Sequence, residues 1–530
     1  MATSKRFYSF FYKWFSTWVL GAVLAGLGNL APAAPVTDPQ AQSMEAPNRF
    51  GFVDVRRRAA QLAEESYSPV SEQLPDVLKD LNYDKFRDIR FRKDHTLWQG
   101  QNLPFVMRFF HRGFLFKRRI QVNVVENGEL KPLIYSPDMF DFGANTFSQS
   151  LPQDLGFAGF QIFHPLLGDE TYNEIAVFLG ASYFRAVGAH QSWGLSARGL
   201  AIDTGLPQGE EFPYFREFWV EKPDRDATAL TLYALLDSPS VTGAYRFLIQ
   251  PGAETVIDVK AHVFLRKDVQ KIGIAPLTSM HFHGENNERP FDDFRPEVHD
   301  SDGLAIAMGS GERLWRPLKN PWQLRISSFL DQNPKGHGLM QRDRDYDHYQ
   351  DLEAQYDHRP SAWVEPQGVW GKGAIQLVEI PSDSERNDNI VAYWIPEEPA
   401  KAGMTFQFDY RVRFALDQID KTVPGRTIAT RVGGGGTDVL DSSIRKFVLD
   451  FAGSALESLG SDTKVQPVVW TSAGEIKNPV AQYNPTTKGW RVFFELTPPQ
   501  PEKLVELRCF LRSGDHVLTE TWSYQWLHRL

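Results

Sequence analysis

Residues 333–394 carry the densest mixture of carboxylates, arginines and large aromatic side chains in the chain. Aromatic faces stack on the C–H surfaces of sugar rings, while carboxylate and guanidinium groups hydrogen-bond to sugar hydroxyls. Such a mixture is typical of the wall of a carbohydrate-binding groove. The segment therefore predicts a sugar site, although its composition does not identify the sugar.

Two aspartates are candidates for acid–base chemistry: Asp300 in HDSD (299–302) and Asp388 in NDNIV (387–391). Hydrolysis of a glycosidic bond usually needs one carboxylic acid to protonate the leaving oxygen and one carboxylate to activate water. Each aspartate lies in a polar turn beside apolar sequence, where an acid can sit at the edge of a groove. Both motifs also suit a turn or a helix cap, so the residues alone leave the two interpretations open.

Four further residues are candidates for substrate binding: Tyr356, Arg359, Trp363 and Trp370. A tyrosine hydroxyl can order a water or a sugar hydroxyl, and an arginine can hold sugar oxygens or orient an acid. The two tryptophans are candidate stacking platforms. The alternatives are that the tyrosine and arginine support a loop and that the tryptophans belong to a core.

Metal-binding patterns in the chain are incomplete. Four aspartates have the spacing of the first ligands of a calcium loop: Asp343, Asp345, Asp347 and Asp351. His348 and Ala354 stand where that loop needs glycine and glutamate. His281 and His283 share one face of a predicted strand without a third ligand nearby. We expect no metal and no cofactor.

Charge and cysteine content exclude other classes. The formal net charge of −9 gives no reason to expect nucleic acid as a partner. Cys509, the single cysteine, excludes an intramolecular disulfide. A chain of 530 residues exceeds the size at which one hydrophobic core stops growing, so two domains are expected.

The hydrophobic pattern is mostly that of strands. A helix is predicted over 52–65, and residues 245–250 and 255–266 read as a β-hairpin. We predict an all-β fold with a large antiparallel β-sandwich over 34–418. The glycine run 433–436 predicts a loop inside a linker, 419–440. Short strands over 441–530 then predict a small immunoglobulin-like sandwich.

The N-terminus has the features of an export signal. Lys5, Arg6 and Lys13 precede an apolar stretch, and Ala31-Pro32-Ala33 supplies a small-x-small cleavage site. We expect a signal peptide over 1–33, Sec-type export and a periplasmic location in a Gram-negative bacterium. An uncleaved membrane anchor is the alternative.

Several blocks in one order resemble the periplasmic glucan biosynthesis family, the G and D proteins of osmoregulated periplasmic glucan synthesis. The blocks include DLGFAGFQIF (154–163), FLGASYFRAVG (178–188), WGLSARGLAIDT (193–204), IGIAPLTSM (272–280) and HDSDGL (299–304). The resemblance runs from about residue 48 to the C-terminus. The absence of a twin arginine before the apolar stretch favours the G branch.

The resemblance implies a mutarotase-like β-sandwich followed by an immunoglobulin-like domain, and β-1,2-glucan as the ligand. The family includes inverting endo-β-1,2-glucanases with their general acid in DNIV and their general base in HDSD. That implies Asp388 as the acid and Asp300 as the base. The same resemblance assigns Tyr356 and Arg359 to the groove.

Two functions stay open. The intact acid motifs favour a β-1,2-glucan hydrolase. The D branch, however, carries a longer aromatic loop where this chain has RVGGGGTDVLDSS (431–443), and a covering loop matters for excluding water. The short loop favours a glucan-binding scaffold that works beside the inner-membrane glucosyltransferase in glucan release or branching.

Overall fold

The computed structural model describes residues 49–147, 150–166, 168, 171–286, 291–416, 425–436, 441–460, 462–499 and 503–527. The predicted signal peptide, 1–33, lies outside these residues. Within them, no helix combines the length and the apolar character needed to cross a membrane.

The helical part is small. Helix α1, Phe52–Glu64, confirms the helix predicted over 52–65, and it buries Val55 and Ala59 against the outer face of the sandwich near Trp219. The other α-helices are Asp76–Lys79, Tyr83–Arg87, Tyr346–Tyr349 and Ser454–Glu457, and the 3-10 helices are Lys93–His95, Pro137–Met139 and Tyr356–His358.

Most strands belong to two sheets. The large sheet contains, in hydrogen-bonding order, Gln466–Thr471, Leu504–Ser513, Thr521–Leu527, Arg313–Pro317, Gly303–Ala307, Gly336–Met340, Ser361–Gln367, Thr405–Ala415, Thr255–Leu265, Val241–Gln250, Leu230–Asp237, Tyr214–Glu221, Gln121–Glu126 and Glu129–Pro132, with His516–Val517 beside Leu504–Ser513. The second sheet contains Val106–His111, Phe157–His164, Asn173–Leu179, Tyr183–Ala186, Ser196–Arg198, Ile272–Ser279, Ile390–Pro396, Lys372–Glu379 and Arg325–Gln332, with Leu200–Ile202 beside Ile272–Ser279.

The two sheets pack face to face around one apolar core. Phe247 of the large sheet meets Phe178 of the second sheet with ring centroids 5.2 Å apart, and both rings are buried. The predicted hairpin is confirmed, since Val241–Gln250 pairs antiparallel with Thr255–Leu265. The all-β sandwich prediction is therefore confirmed.

The C-terminal strands form a further sheet: Arg426–Gly435, Asp441–Ala452, Gly489–Thr497 and Glu475–Asn484. Its buried residues, such as Phe447, share a core with Trp522 and with Trp315 of the large sheet. The large sheet also continues into the C-terminal region, because Arg313–Pro317 pairs in parallel with Thr521–Leu527. The separate immunoglobulin-like domain stays a prediction.

The predicted glycine loop is wrong. Gly433, Gly434 and Gly435 lie in the strand Arg426–Gly435 and pair with Asp441–Ala452. A sheet ladder uses only backbone groups, so a partner strand can order a glycine run. At Gly435 a β-carbon would lie 2.4 Å from the Ile444 side chain, so the close approach requires glycine. Residues 417–424 and 437–440, which include both ends of the predicted linker, lie outside the described residues.

One short antiparallel pair positions the candidate site. His281–His283 follows the second-sheet strand Ile272–Ser279 after one residue and pairs with Val298–His299. Asp300 follows directly after that partner strand. Asp388 precedes the second-sheet strand Ile390–Pro396, which pairs with Ile272–Ser279. Motifs that are remote in sequence thus meet at one end of the second sheet.

Candidate functional site

Asp300 is buried at the end of its strand, with 5% of its surface exposed. Its backbone N–H donates to the Met280 carbonyl at 2.8 Å, and its Oδ1 forms an ion pair with the Arg359 guanidinium. Burial raises the pKa of Asp300 above its ordinary value, the charge of Arg359 opposes this shift, and the charge of Asp388 adds to it. Asp300 is thus a desolvated carboxyl group that forms an ion pair with Arg359.

Asp388 lies in the exposed turn before Ile390–Pro396. Its neighbour Asn389 is buried and hydrogen-bonds to the backbone of His281 and of Ile380. These bonds hold the end of the turn in place. The charge of Asp388 acts on Asp300 and on Tyr183. Asp300 and the turn that carries Asp388 both hydrogen-bond to the backbone of residues 280–281, and Asp300 is buried whereas Asp388 is open to solvent.

Tyr356 and Arg359 connect the two candidate carboxylates. The Arg359 guanidinium carbon lies 4.2 Å from the centroid of the Tyr356 ring while its Nη1 pairs with Asp300. The Tyr356 hydroxyl donates to Glu385 Oε2 at 2.8 Å. Glu385 stands three positions before Asp388 in the same turn segment. A continuous line of contacts thus runs from Asp300 to the segment that carries Asp388.

Arg295 holds Glu385, the residue at which these contacts reach the turn that carries Asp388. Its guanidinium pairs with Glu385 at 2.9 Å and with Asp293 and Asp351 at 2.7 Å. Arg295 therefore pairs with three carboxylates. Its pair with Glu385 holds that side chain where it accepts the hydrogen bond from Tyr356. Sequence reasoning missed both Glu385 and Arg295, and their only signal is membership of charged loops near the recognised motifs.

A comparison with protein families decides the assignment of the chain. The family model described as periplasmic glucan biosynthesis protein, MdoG, matches residues 50–526. The chain belongs to this family. Its role is therefore periplasmic and lies in glucan biosynthesis.

The structure does not bring every predicted residue of this MdoG-family protein to the site. Trp363 is 5% exposed and packs in the core that the C-terminal sheet shares with the large sheet, where Gly336 leaves room for its ring. Trp370 is 6% exposed, and its Nε1 donates to the Asp409 carbonyl at 3.3 Å. Neither ring has a face open to a sugar, because core packing covers both, so we leave them out of the proposed site.

Two residues of the strand Tyr183–Ala186 interact electrostatically with the candidate carboxylates and were not predicted. Burial raises the pKa of Tyr183, and the charge of Asp388 adds to that shift. Arg185 is exposed, and its charge lowers the pKa of both Asp300 and Tyr183. Arg185 thus presents a solvated guanidinium whose charge acts on Asp300 and on Tyr183. The sequence signal for Arg185 is its position in the block FLGASYFRAVG. The resemblance of that block does not show which of its residues are functional.

The carboxylates of the acidic segment after Gln341 have different structural partners. Asp345 caps the helix Tyr346–Tyr349 by accepting from the Asp347 N–H at 3.0 Å, and Asp351 pairs with Arg295. Asp343 and His348 of the same segment, together with Glu297, bring ligand atoms within 4.8 Å of one another. Such a set could hold a cation. Asp343 already contacts His348 at 2.5 Å and Glu297 contacts His299 at 2.7 Å, so no cation is needed to satisfy these groups.

Proposed function

We propose that the protein is an inverting endo-β-1,2-glucanase of the periplasm, with Asp388 as general acid and Asp300 as general base. The observation that carries the proposal is that remote segments hold both carboxylates against one stretch of backbone: the Asp300 N–H donates to the Met280 carbonyl, and Asn389, next to Asp388, hydrogen-bonds to the His281 backbone. In an inverting hydrolase one carboxylic acid protonates the leaving oxygen and a carboxylate activates water on the opposite face. The β-1,2 linkage and the two roles rest on the resemblance of HDSD and NDNIV to the family motifs.

The two environments suit the two roles. A raised pKa makes Asp300 a stronger proton acceptor, while its pairing with Arg359 favours the ionised form that a base needs. Asp388 is exposed in the free protein. A glucan that covers its carboxyl would desolvate it and favour the protonated form that an acid needs.

Tyr356, Arg359 and Arg185 are proposed to bind the glucan. The Tyr356 hydroxyl can turn from Glu385 toward a sugar hydroxyl or an ordered water, and the exposed Arg185 guanidinium can hold sugar oxygens. Tyr356 contacts Arg359, the partner of Asp300, and Glu385 in the turn that carries Asp388, while the charge of Arg185 acts on Asp300. They would therefore orient the glucan at the bond that is cleaved.

A specific contact favours the second candidate, a glucan-binding scaffold beside the inner-membrane glucosyltransferase. Arg359 occupies Oδ1 of Asp300, an atom that a general base would offer to water. If bound glucan keeps water from the other oxygen, Oδ2, the site binds without cutting. Access of water to Asp300 is what separates the hydrolase from the scaffold.

Size-resolved analysis of products tests the proposal. Purified protein is incubated with linear β-1,2-glucan, with linear β-1,3-glucan as the linkage control. The hydrolase produces shorter β-1,2-glucans whose new reducing ends have the inverted anomeric configuration, and it leaves the control uncut. Binding of β-1,2-glucan without any shortening would support the scaffold instead.

A further inference from the structure

Two buried asparagine side chains hydrogen-bond the turn that contains Asp388 to the strand His281–His283. This strand contains none of the proposed catalytic residues. Asn389 accepts from the His281 N–H at 2.8 Å and donates to the His281 carbonyl at 3.0 Å and the Ile380 carbonyl at 3.1 Å. Asn389 is 2% exposed, so these bonds are shielded from water. One amide thus joins two backbone segments immediately beside Asp388.

Asn320 makes a matching set of bonds at the other end of the same turn. It accepts from the Ser382 N–H at 2.9 Å and donates to the Ser382 carbonyl at 2.9 Å and the Phe282 carbonyl at 3.0 Å. It is 5% exposed. The segment from Ser382 to Asn389 is therefore held at both ends against the strand His281–His283.

The opposite edge of that strand holds Asp300. His281 pairs with His299, the Asp300 N–H donates to the Met280 carbonyl at 2.8 Å, and the hydroxyls of Ser279 and Ser301 are 2.8 Å apart. The backbone of residues 279–283 is thus a common support, with Asp300 fixed on one side and the Asp388 turn on the other. Buried bonds of this kind hold a site more precisely than solvated ones, because a broken bond leaves an unsatisfied polar group.

We infer that Asn389 is a positioning residue, which sets the location of Asp388 relative to Asp300 through the backbone of His281. This inference rests on the proposed function and adds to it a residue that touches neither the glucan nor the reacting atoms. A displacement of about 1 Å in an acid–base pair can cost about 10²-fold in rate. Loss of the Asn389 amide should therefore affect the chemical step more than glucan binding.

The test compares Asn389→Ala with Asn320→Ala, because each change removes a buried amide that joins the same strand to the same turn. For Asn389→Ala we expect kcat to fall by about 10–100-fold with KM changed by less than about threefold. Asn320 contacts the turn at Ser382, six positions before Asp388, so for Asn320→Ala we expect a comparable fall in thermal stability and a kcat within about threefold of wild type. Asn389→Ser, which keeps a short donor, is the second variant if Asn389→Ala does not fold, and it should show the same pattern with a smaller loss.

Two kinetic results would overturn the inference: kcat of the Asn389 variants equal to wild type, or equal losses of kcat in the Asn389 and Asn320 variants. Hydrogen–deuterium exchange of a peptide covering 383–388 gives a readout without catalysis, and exchange there should accelerate in Asn389→Ala. If the wild type leaves β-1,2-glucan uncut, the proposed function fails, while the exchange measurement still decides whether Asn389 fixes the turn. Unchanged exchange would count against the positioning role in either case.

Discussion

The Tyr356 hydroxyl donates a hydrogen bond to Glu385 Oε2 at 2.8 Å, and this contact joins the two halves of the site. Tyr356 belongs to the segment that holds Arg359 against Asp300, while Glu385 belongs to the turn that carries Asp388. Loss of this one hydrogen bond can therefore change the positions of both Asp300 and Asp388.

Tyr356→Phe removes the hydroxyl and keeps the ring under Arg359. A hydrogen bond to a charged group is worth about 1.5–3 kcal/mol, so kcat/KM should fall by about 10–100-fold. Tyr349→Phe is the matched control, since this buried ring lies 5.8 Å from Tyr356 and its hydroxyl bonds only weakly to the Asp343 carbonyl, at 3.3 Å. Steady-state kinetics on β-1,2-glucan should show a loss in the first variant alone, and equal losses would remove the special role of the Tyr356–Glu385 bond.

Replacement of the two carboxylates tests their roles directly. Asp388→Asn and Asp300→Asn should each lower the cleavage rate by about 10²–10⁴-fold, the usual contribution of general acid–base catalysis. Glucan affinity should stay near that of wild type, because amide and carboxylate have nearly the same shape. Asp347→Asn, an exposed residue on the helix Tyr346–Tyr349, is the control. Full activity in either catalytic variant would contradict the assignment.

Much of the fold could be predicted from local patterns, because helix α1 and the hairpin of Val241–Gln250 with Thr255–Leu265 rest on periodicity and short connections. The strand Arg426–Gly435 could not, because its glycines have no side-chain signal and its pairing depends on a separate strand. The meeting of Asp300 with Asp388 was implied by the family motifs alone. Periodicity says nothing about contacts between remote turns.

Trp363 shows why the groove was harder to predict than the fold. An aromatic residue beside charged sequence has the same local pattern whether it stacks on sugar or packs in a core. Only the surrounding strands decide, and here Gly336 and Gly338 press against the indole. Glu385 and Arg295 could not be predicted, because charged loop residues are abundant in the sequence. Their pairing at 2.9 Å appears only in the three-dimensional structure.

The burial of Trp363 predicts a loss of stability and not of binding. Trp363→Ala should lower the free energy of unfolding by about 3–5 kcal/mol, the usual cost of truncating a large aromatic in a core. Trp470→Ala, a tryptophan that is 53% exposed, should cost much less. Urea unfolding measures the stability, and calorimetric titration with β-1,2-glucan measures the affinity of the folded fraction. A selective loss of affinity in Trp363→Ala would restore this residue to the groove.

The last prediction concerns pH. Asp300 must be ionised to act as a base, so activity should fall as the pH drops through its raised pKa. The charge of Arg359 lowers that pKa, so Arg359→Gln should raise it further and move the acidic limb of the kcat/KM profile upward by about 1–3 pH units. Arg359→Lys keeps the positive charge and should leave the limb near its wild-type position, even where the loss of the planar guanidinium lowers the rate. An acidic limb that stays fixed in Arg359→Gln would show that the group titrating in the profile is not Asp300.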